Sequence, residues 1–206
     1  MRIAKLTPSR RKQGRWLVQL ENGELLRVGE GEVISFSLYS GMELEEEKLA
    51  ALHEAARISD FKEYALNALS VRAMSRHELR QKLEEKGCAP LQAMEIADRL
   101  TELGYLDDRA YAAALTKHYA AKGYGPYKIK DELFRRGVPR EFWDEALEAG
   151  ETPDRAIDDF ISRKLDRIQQ PDRKDLKRVS DALARRGYSW SDISAGLRRW
   201  GAEVEE

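Results

Sequence analysis

The chain is poor in the residues from which chemical centres are usually built. Cys88 is its one cysteine, so no disulfide framework and no cysteine-rich metal site is expected, and a reducing compartment is the natural setting. The three histidines, His53, His77 and His118, have no ligand-type spacing with Cys88 or with one another, which leaves no metal site to expect. Gly123-Tyr-Gly125 is not followed by Gly-Lys-Ser/Thr, so it reads as a turn and not as a phosphate loop. Asp107-Asp108 reads as a helix cap and dipole partner. No catalytic residue and no cofactor follow from this inventory. Neither sign of charge dominates: charged residues make up 35% of the chain but cancel to −1. No apolar run approaches a membrane span, and the N-terminus shows no signal-type apolar stretch, so a cytoplasmic protein is expected.

What is present is a repeat. Gly87, Gly137 and Gly187 stand fifty residues apart, each closing a helix-like stretch. In register, Leu79 becomes Ile129 and Val179, Leu83 becomes Leu133 and Leu183, and Lys86 becomes Arg136 and Arg186. Apolar residues at i and i+4, a cation in the last turn and then glycine describe the end of an amphipathic helix. The period continues on both sides, through Phe61, Tyr111 and Ile161 before it and through Ala97, Leu147 and Leu197 after it. Each unit is therefore three helices, at roughly 61–104, 107–150 and 154–201. A fixed period of this size predicts stacked units, here an elongated and curved helical rod.

The start signals differ between units. Ser75-Arg-His-Glu78 is a capping box. Gly125-Pro126 puts proline at a first helical position, and Asp175 is the expected cap of the third central helix. Asp107 or Asp108 caps the helix after Gly104-Tyr-Leu-Asp-Asp108, and Thr152-Pro153 reopens a helix after the second connector. Gln169-Gln-Pro171 breaks the third unit internally. Ahead of the repeats, Trp16–Leu20, the Asn22-Gly23 turn and Leu25–Val28 form a hairpin, with Ile3–Leu6 as a candidate third strand. Gly29-Glu-Gly31 interrupts, and Val33–Tyr39 is open between strand and short helix. The fold class is mainly α: tandem three-helix repeats behind a small β-containing region. The expected divisions are 1–44 for that region, 45–106 for a leading helix with the first repeat, 107–150 for the second and 151–206 for the third.

Ala68-Leu-Ser-Val-Arg72, Ser75-Arg-His-Glu-Leu79, Lys82-Leu-Glu-Glu-Lys-Gly87 and Gly104-Tyr-Leu-Asp-Asp108 with Tyr111-Ala112 form an ordered set that resembles RecX, the bacterial recombination regulator. Gly125, Ile129, Glu132-Leu133 and Gly137-Val138 continue it. The resemblance implies a non-enzymatic regulator, a monomer whose partner is the RecA filament on single-stranded DNA. Such a protein lies along the filament groove and lowers ATP hydrolysis, strand exchange and the recombination and SOS activity that depend on them. The family has no catalytic residues to carry over.

Contact residues follow from charge alone. Positions 78, 128 and 178 run Glu, Lys, Arg, and positions 85, 135 and 185 run Glu, Arg, Arg. Residues 155–200 hold twelve cations against seven carboxylates, a local +5 hidden by the net −1. Such an excess points to DNA phosphate or an acidic protein surface. The candidate partner- or DNA-binding residues are Lys128, Lys130, Arg135, Arg136, Arg163, Lys164, Arg167, Lys174, Lys177, Arg178, Arg185, Arg186, Arg198 and Arg199. Reversing Arg178, Arg185 and Arg186 to glutamate is expected to spare the fold and weaken binding. The basic stretch 1–15 stays open between a flexible arm that reaches DNA and a merely soluble terminus. Trp143, Trp190 and Trp200 read as packing residues, with Trp190 the most exposed, and Cys88 is expected to be partly exposed. Two alternatives remain: a helical DNA-binding protein independent of RecA, and a generic repeat scaffold.

Overall fold

The computed structural model describes residues 1–150 and 153–202. By compactness the chain divides into two units, Met1–Arg72 with Leu79–Leu100, and Ala73–Glu78 with the chain from Thr101 onward.

The first unit opens with an antiparallel sheet in the order β1 (Ile3–Pro8), β2 (Arg15–Leu20), β3 (Leu25–Gly29). Trp16 pairs with Val28 and Val18 with Leu26, so the even-numbered residues of β2 and β3 share one face. That face is apolar. Val18, Leu20, Leu26 and Val28 pack with Ile3, Leu38 and Leu44 onto Leu52 and Ala56. The last two lie on α2 (Glu46–Val71), so the sheet is closed by a helix instead of building a core of its own. Stretch 1–15 is therefore neither an arm nor a loose terminus, because β1 is an ordered edge strand paired with β2, with Lys5 on its outward face. The segment after β3 is a short helix, α1 (Glu30–Ser35), and Gly31 lies inside it. Gly29 caps it, and its N–H donates to the Glu32 carboxylate at 2.9 Å. The leading helix and the first helix of the first repeat are one continuous 26-residue element, since nothing between Glu46 and Val71 breaks the helix. α3 (Arg76–Glu85) and α4 (Pro90–Glu102) follow. Cys88, in the turn between them, is buried at 4% exposure, and burial pushes its thiol pKa up. The partial exposure expected from its place after Gly87 fails because the Cys88 N–H donates to the Leu83 carbonyl, which folds the chain back over the helix end.

The second unit continues with α5 (Asp108–Ala121), α6 (Pro126–Arg135), a 3-10 turn (Arg140–Phe142) and the short α7 (Trp143–Glu148). Then come α8 (Pro153–Leu165), α9 (Arg173–Arg185) and α10 (Trp190–Trp200). The start of α8 at Pro153 agrees with the expected helix start, while Thr152 lies outside the described residues. Two cores repeat the period. Tyr111, Leu115, Ile129, Leu133, Val138 and Ala146 form one. Ile161, Leu165, Val179, Leu183 and Tyr188 occupy the equivalent places in the other, joined by Ile193 and Leu197. Gly196 replaces Ala146 where α10 crosses α8, and a Cβ there would strike Ile157.

The caps follow the sequence with one correction. Ser75 and Glu78 form their reciprocal box: the Glu78 N–H donates to the Ser75 hydroxyl (3.0 Å) and the Ser75 N–H to the Glu78 carboxylate (3.2 Å). Gly125 caps α6, with proline at its start. The cap of α9, however, is Asp172, and Asp175 is the third helical residue of a second capping box. The helix starts three residues early because Asp172 can satisfy the Lys174 and Asp175 amides. Asp107 caps α5 through the Ala110 N–H (2.9 Å). Asp108 instead accepts the Arg76 N–H at 2.8 Å, and burial raises its pKa.

A candidate polyanion-binding cleft

The glycines that end α6 and α9 do more than end helices. Gly137 and Gly187 have φ of +64° and +88°, and a Cβ at either would collide, with His77 at the first and with Lys128 at the second. At Gly137 the start of α3 is seated on the end of α6, where the Ser75 hydroxyl donates to the Arg136 carbonyl. Fifty residues on, the Gly125 N–H donates to the Arg186 carbonyl (2.8 Å) and the Tyr127 N–H to the Gly187 carbonyl (3.0 Å). Each start offers its amides to the carbonyl end of the next central helix, so opposite ends of two helix dipoles meet. Gly87 has φ +87° but open space, because no preceding repeat exists to dock on it.

This docking fixes what the two equivalent arginines do. Arg136 lies in a half-buried network, donating to Glu132 (2.8 Å), to the Tyr111 hydroxyl (2.8 Å) and to Glu78 (3.4 Å). The Tyr111 hydroxyl in turn donates to Glu78 at 2.9 Å. Burial opposes the charge on Arg136, yet these partners hold its pKa above the usual arginine value. Burial, and then the bond to Glu78, raises that of Tyr111. Glu132, only 3% exposed, has a lowered pKa: burial works against its charge, and the bonds to Arg136 and Tyr119 outweigh it.

In the next repeat the partner positions are Lys128, Ile161 and Ala182, none of them acidic. Arg186 therefore turns elsewhere. It donates to the carbonyls of Lys122 (3.3 Å) and Gly123 (3.1 Å) at the end of α5, and its guanidinium lies 4.9 Å from the centre of the Phe160 ring. A cation there suits the negative end of α5 and the ring face.

Arg186 also lines a cleft of about 610 Å³. One wall is a helical stripe from α8 and its extension: Ala156, Asp159, Phe160, Arg163, Lys164 and Arg167, with Arg155 beside it. The other is the end of α5, from Ala120 to Gly123. Six cations, Lys122, Arg155, Arg163, Lys164, Arg167 and Arg186, face one carboxylate, Asp159. Arg163 donates to the Asp159 carbonyl at 2.9 Å and Lys164 sits 6.0 Å from the Phe160 ring centre. An excess of this size in one concavity makes a positive local potential, the electrostatic condition for anion binding.

The sequence-derived candidates thus fall into groups. Arg163, Lys164, Arg167 and Arg186 converge on the cleft. Lys174, Lys177, Arg178 and Arg185 form an exposed strip along α9, with Arg178 paired to Asp175 at 3.2 Å. Lys128 is exposed on α6. Lys130 pairs with Asp144 (3.7 Å), and Arg135 and Arg136 both pair with Glu132. Arg199 binds Asp158 (2.8 Å) and Asp154 (3.1 Å), and Arg198 reaches the Ser194 hydroxyl at 3.4 Å. The expectation that reversing Arg186 spares the fold is corrected: its charge caps α5 and packs on Phe160. Lys122 and Arg155 were missed as cleft residues. Arg155 was visible in the charge excess of 155–200, whereas nothing in the local pattern marks Lys122. Trp190 is 57% exposed, while Trp143 and Trp200 are half-buried and donate to the Val138 carbonyl and to Asp166. Among the described residues no group of His, Cys, Asp and Glu is placed to hold a metal ion. No helix among them is long and apolar enough to cross a membrane.

Fold and cleft together define a tandem three-helix protein built to present basic surface. Comparison with known proteins makes the class specific. Residues 62–100 match the family model for the first three-helix domain of RecX, and residues 107–147 match that for the second. The regulatory protein RecX of Xanthomonas axonopodis pv. citri (strain 306) is 38% identical over 136 residues, covering 65% of this chain and 83% of that one. The regulatory protein RecX of Geobacillus kaustophilus (strain HTA426) is 31% identical over 203 residues, covering 93% of this chain and 74% of the relative. A crystal structure of regulatory protein RecX superimposes with a TM-score of 0.75 at 25% identity, covering 94% of this chain and 98% of that one. The crystal structure of RecX from Lactobacillus salivarius shares the fold, with a TM-score of 0.63. The chain belongs to the RecX family.

Proposed function

We propose that this protein is a cytoplasmic, non-enzymatic regulator that binds the RecA filament on single-stranded DNA. Binding lowers ATP hydrolysis and strand exchange, and with them recombination and SOS signalling. The observation that carries the reading is the convergence of six cations on one cleft in a chain of this family. A filament offers what such a surface recognises, namely phosphate backbone and acidic side chains repeated at short intervals. The α8 cleft and the α9 strip are the proposed contacts, carried on repeats at 107–150 and 151–206. The β-containing region 1–44 and the leading helix with the first repeat, at 45–106, precede them. Arg136 and Arg186 bridge successive repeats, and Arg199 ties α10 to α8 within the third.

The test is RecA's single-strand-dependent ATP hydrolysis, measured with increasing amounts of this protein. The rate is expected to fall to a plateau as the filament saturates. A rate unchanged at saturating protein would overturn the proposal.

A further inference from the structure

A second basic concavity lies in the first unit, on the outer face of the sheet. It has a volume of about 740 Å³ and is lined by Lys5, Thr7, Ser9, Arg10, Arg11 and Lys12 from β1 and its loop, with Arg15, Leu17, Leu25 and Arg27 from β2 and β3. Glu63 is its one acid. The charges can be paired off. Lys12 donates to Glu63 at 2.6 Å, while Arg15, almost buried, binds Glu63 at 3.0 Å, Asp60 at 2.5 Å and the Ser59 hydroxyl. The Lys12 hydrogen bond holds the Glu63 pKa below the usual carboxylate range, so these two acids and two bases cancel. Four exposed cations, Lys5, Arg10, Arg11 and Arg27, make no salt bridge among the described residues, although Glu63 lies near enough to Arg27 to feel its charge.

Their placement is set by the sheet register. Lys5 pairs with Gln19, and Gln19 with Leu25, while Thr7 pairs with Leu17, and Leu17 with Arg27. Lys5 and Arg27 therefore stand on the two edge strands, on either side of Leu17 on the central strand, with Leu25 two residues from Arg27 on β3. Arg10 and Arg11 close one end from the loop after β1. Cations at the rim, a hydroxyl at Thr7 and an apolar floor fit a chain with phosphates along its margin and bare bases against its middle. A duplex hides its bases and offers only the phosphates. Three of the four cations are arginines, whose forks suit phosphate oxygens.

We infer that this face of the N-terminal sheet binds the backbone of single-stranded nucleic acid. This goes beyond the filament reading and does not depend on it. The floor has no aromatic platform, since Trp16 points to the core side. Binding is therefore governed by phosphate contact and tolerant of sequence.

The experiment uses the full chain without recombinase and follows the anisotropy of a labelled oligothymidylate of about 20 nucleotides. The variant Lys5→Gln/Arg10→Gln/Arg11→Gln/Arg27→Gln is expected to lose roughly tenfold or more in affinity. The slope of log affinity against log salt should flatten by about 3, at roughly 0.7 per phosphate contact. Its thermal transition should match that of the parent, because all four side chains are exposed. The variant Arg163→Gln/Lys164→Gln/Arg167→Gln, which leaves the sheet untouched and reports the α8 cleft's own share, should lose less affinity than the quadruple variant. The inference is overturned if the quadruple variant binds as the parent does, or if only the triple variant loses binding. It is equally overturned if a duplex of the same length, or poly-L-glutamate at equal charge, competes as well as the single strand.

Discussion

At the scale of single residues, the three glycines of the period are not equivalent, although the sequence writes them identically. All three have positive φ, a region that costs a residue with a Cβ about 1–2 kcal/mol. Gly87 faces open space, whereas Gly137 and Gly187 are pressed against the start of the preceding repeat's central helix. Gly87→Ala should therefore lose about 1 kcal/mol, the conformational term alone. Gly137→Ala should lose more than roughly 2 kcal/mol, because the His77 ring must also move and the Ser75–Arg136 bond moves with it. Chemical denaturation of both variants measures the difference. Equal losses would mean that the docking at Gly137 contributes nothing.

At the scale of the helix and its neighbours, the Glu132–Arg136–Tyr111–Glu78 network sets how the second repeat responds to acid. The folded pKa of Glu132 lies below its ordinary value of 4.5. A carboxylate of that kind adds stability that is fully present above pH 4.5 and lost as the pH falls through the folded pKa. Asp108, whose pKa is raised by burial, acts with the opposite sign, so its protonation on acidification relieves a cost. Unfolding free energies between pH 7 and pH 3 should therefore fall for the parent chain, with a smaller fall for Glu132→Gln. An acid limb unchanged by Glu132→Gln would assign the loss to other carboxylates. The network also shows what the sequence could reveal and what it could not. The apolar register at 79/129/179 and 83/133/183 was legible, because burial repeats with the period. So were the caps that depend on residues three apart. The distant partner of Arg136 was not, since Glu78 is 58 residues away and reaches it only once the two helix ends have docked. Arg186 looked identical in sequence and behaves differently, because the position equivalent to Glu78 is Lys128. The basic stretch 1–15 stayed open between an arm and a soluble terminus for a similar reason. The acids that neutralise Lys12 and Arg15 lie on α2, 45 to 51 residues further along the chain.

At the scale of the whole molecule, a net charge of −1 coexists with two strongly basic concavities, one in each compact unit. Net charge therefore conceals local excess, and the arginines engaged in ion pairs and caps within the fold are different members of the set from those left exposed on the cleft wall. Arg163, Lys164 and Arg167 lie on the cleft wall without an ion pair among the described residues. Arg186, on the same cleft, caps α5 and covers Phe160. Replacing the first three together by glutamine should change stability by less than about 0.5 kcal/mol per site, as for ordinary surface positions. The same variant should weaken inhibition of RecA's ATP hydrolysis roughly ten- to hundredfold, for three lost contacts of about 0.5–1 kcal/mol each. Arg186→Glu should do the reverse first, lowering the melting temperature through a loss of roughly 1–3 kcal/mol as the α5 carbonyls lose their donor and face a carboxylate. Thermal melts alongside inhibition titrations separate the two effects. If the triple glutamine variant inhibits as well as the parent while remaining folded, the α8 cleft is not the surface that meets the filament, and the exposed strip of α9 becomes the remaining candidate.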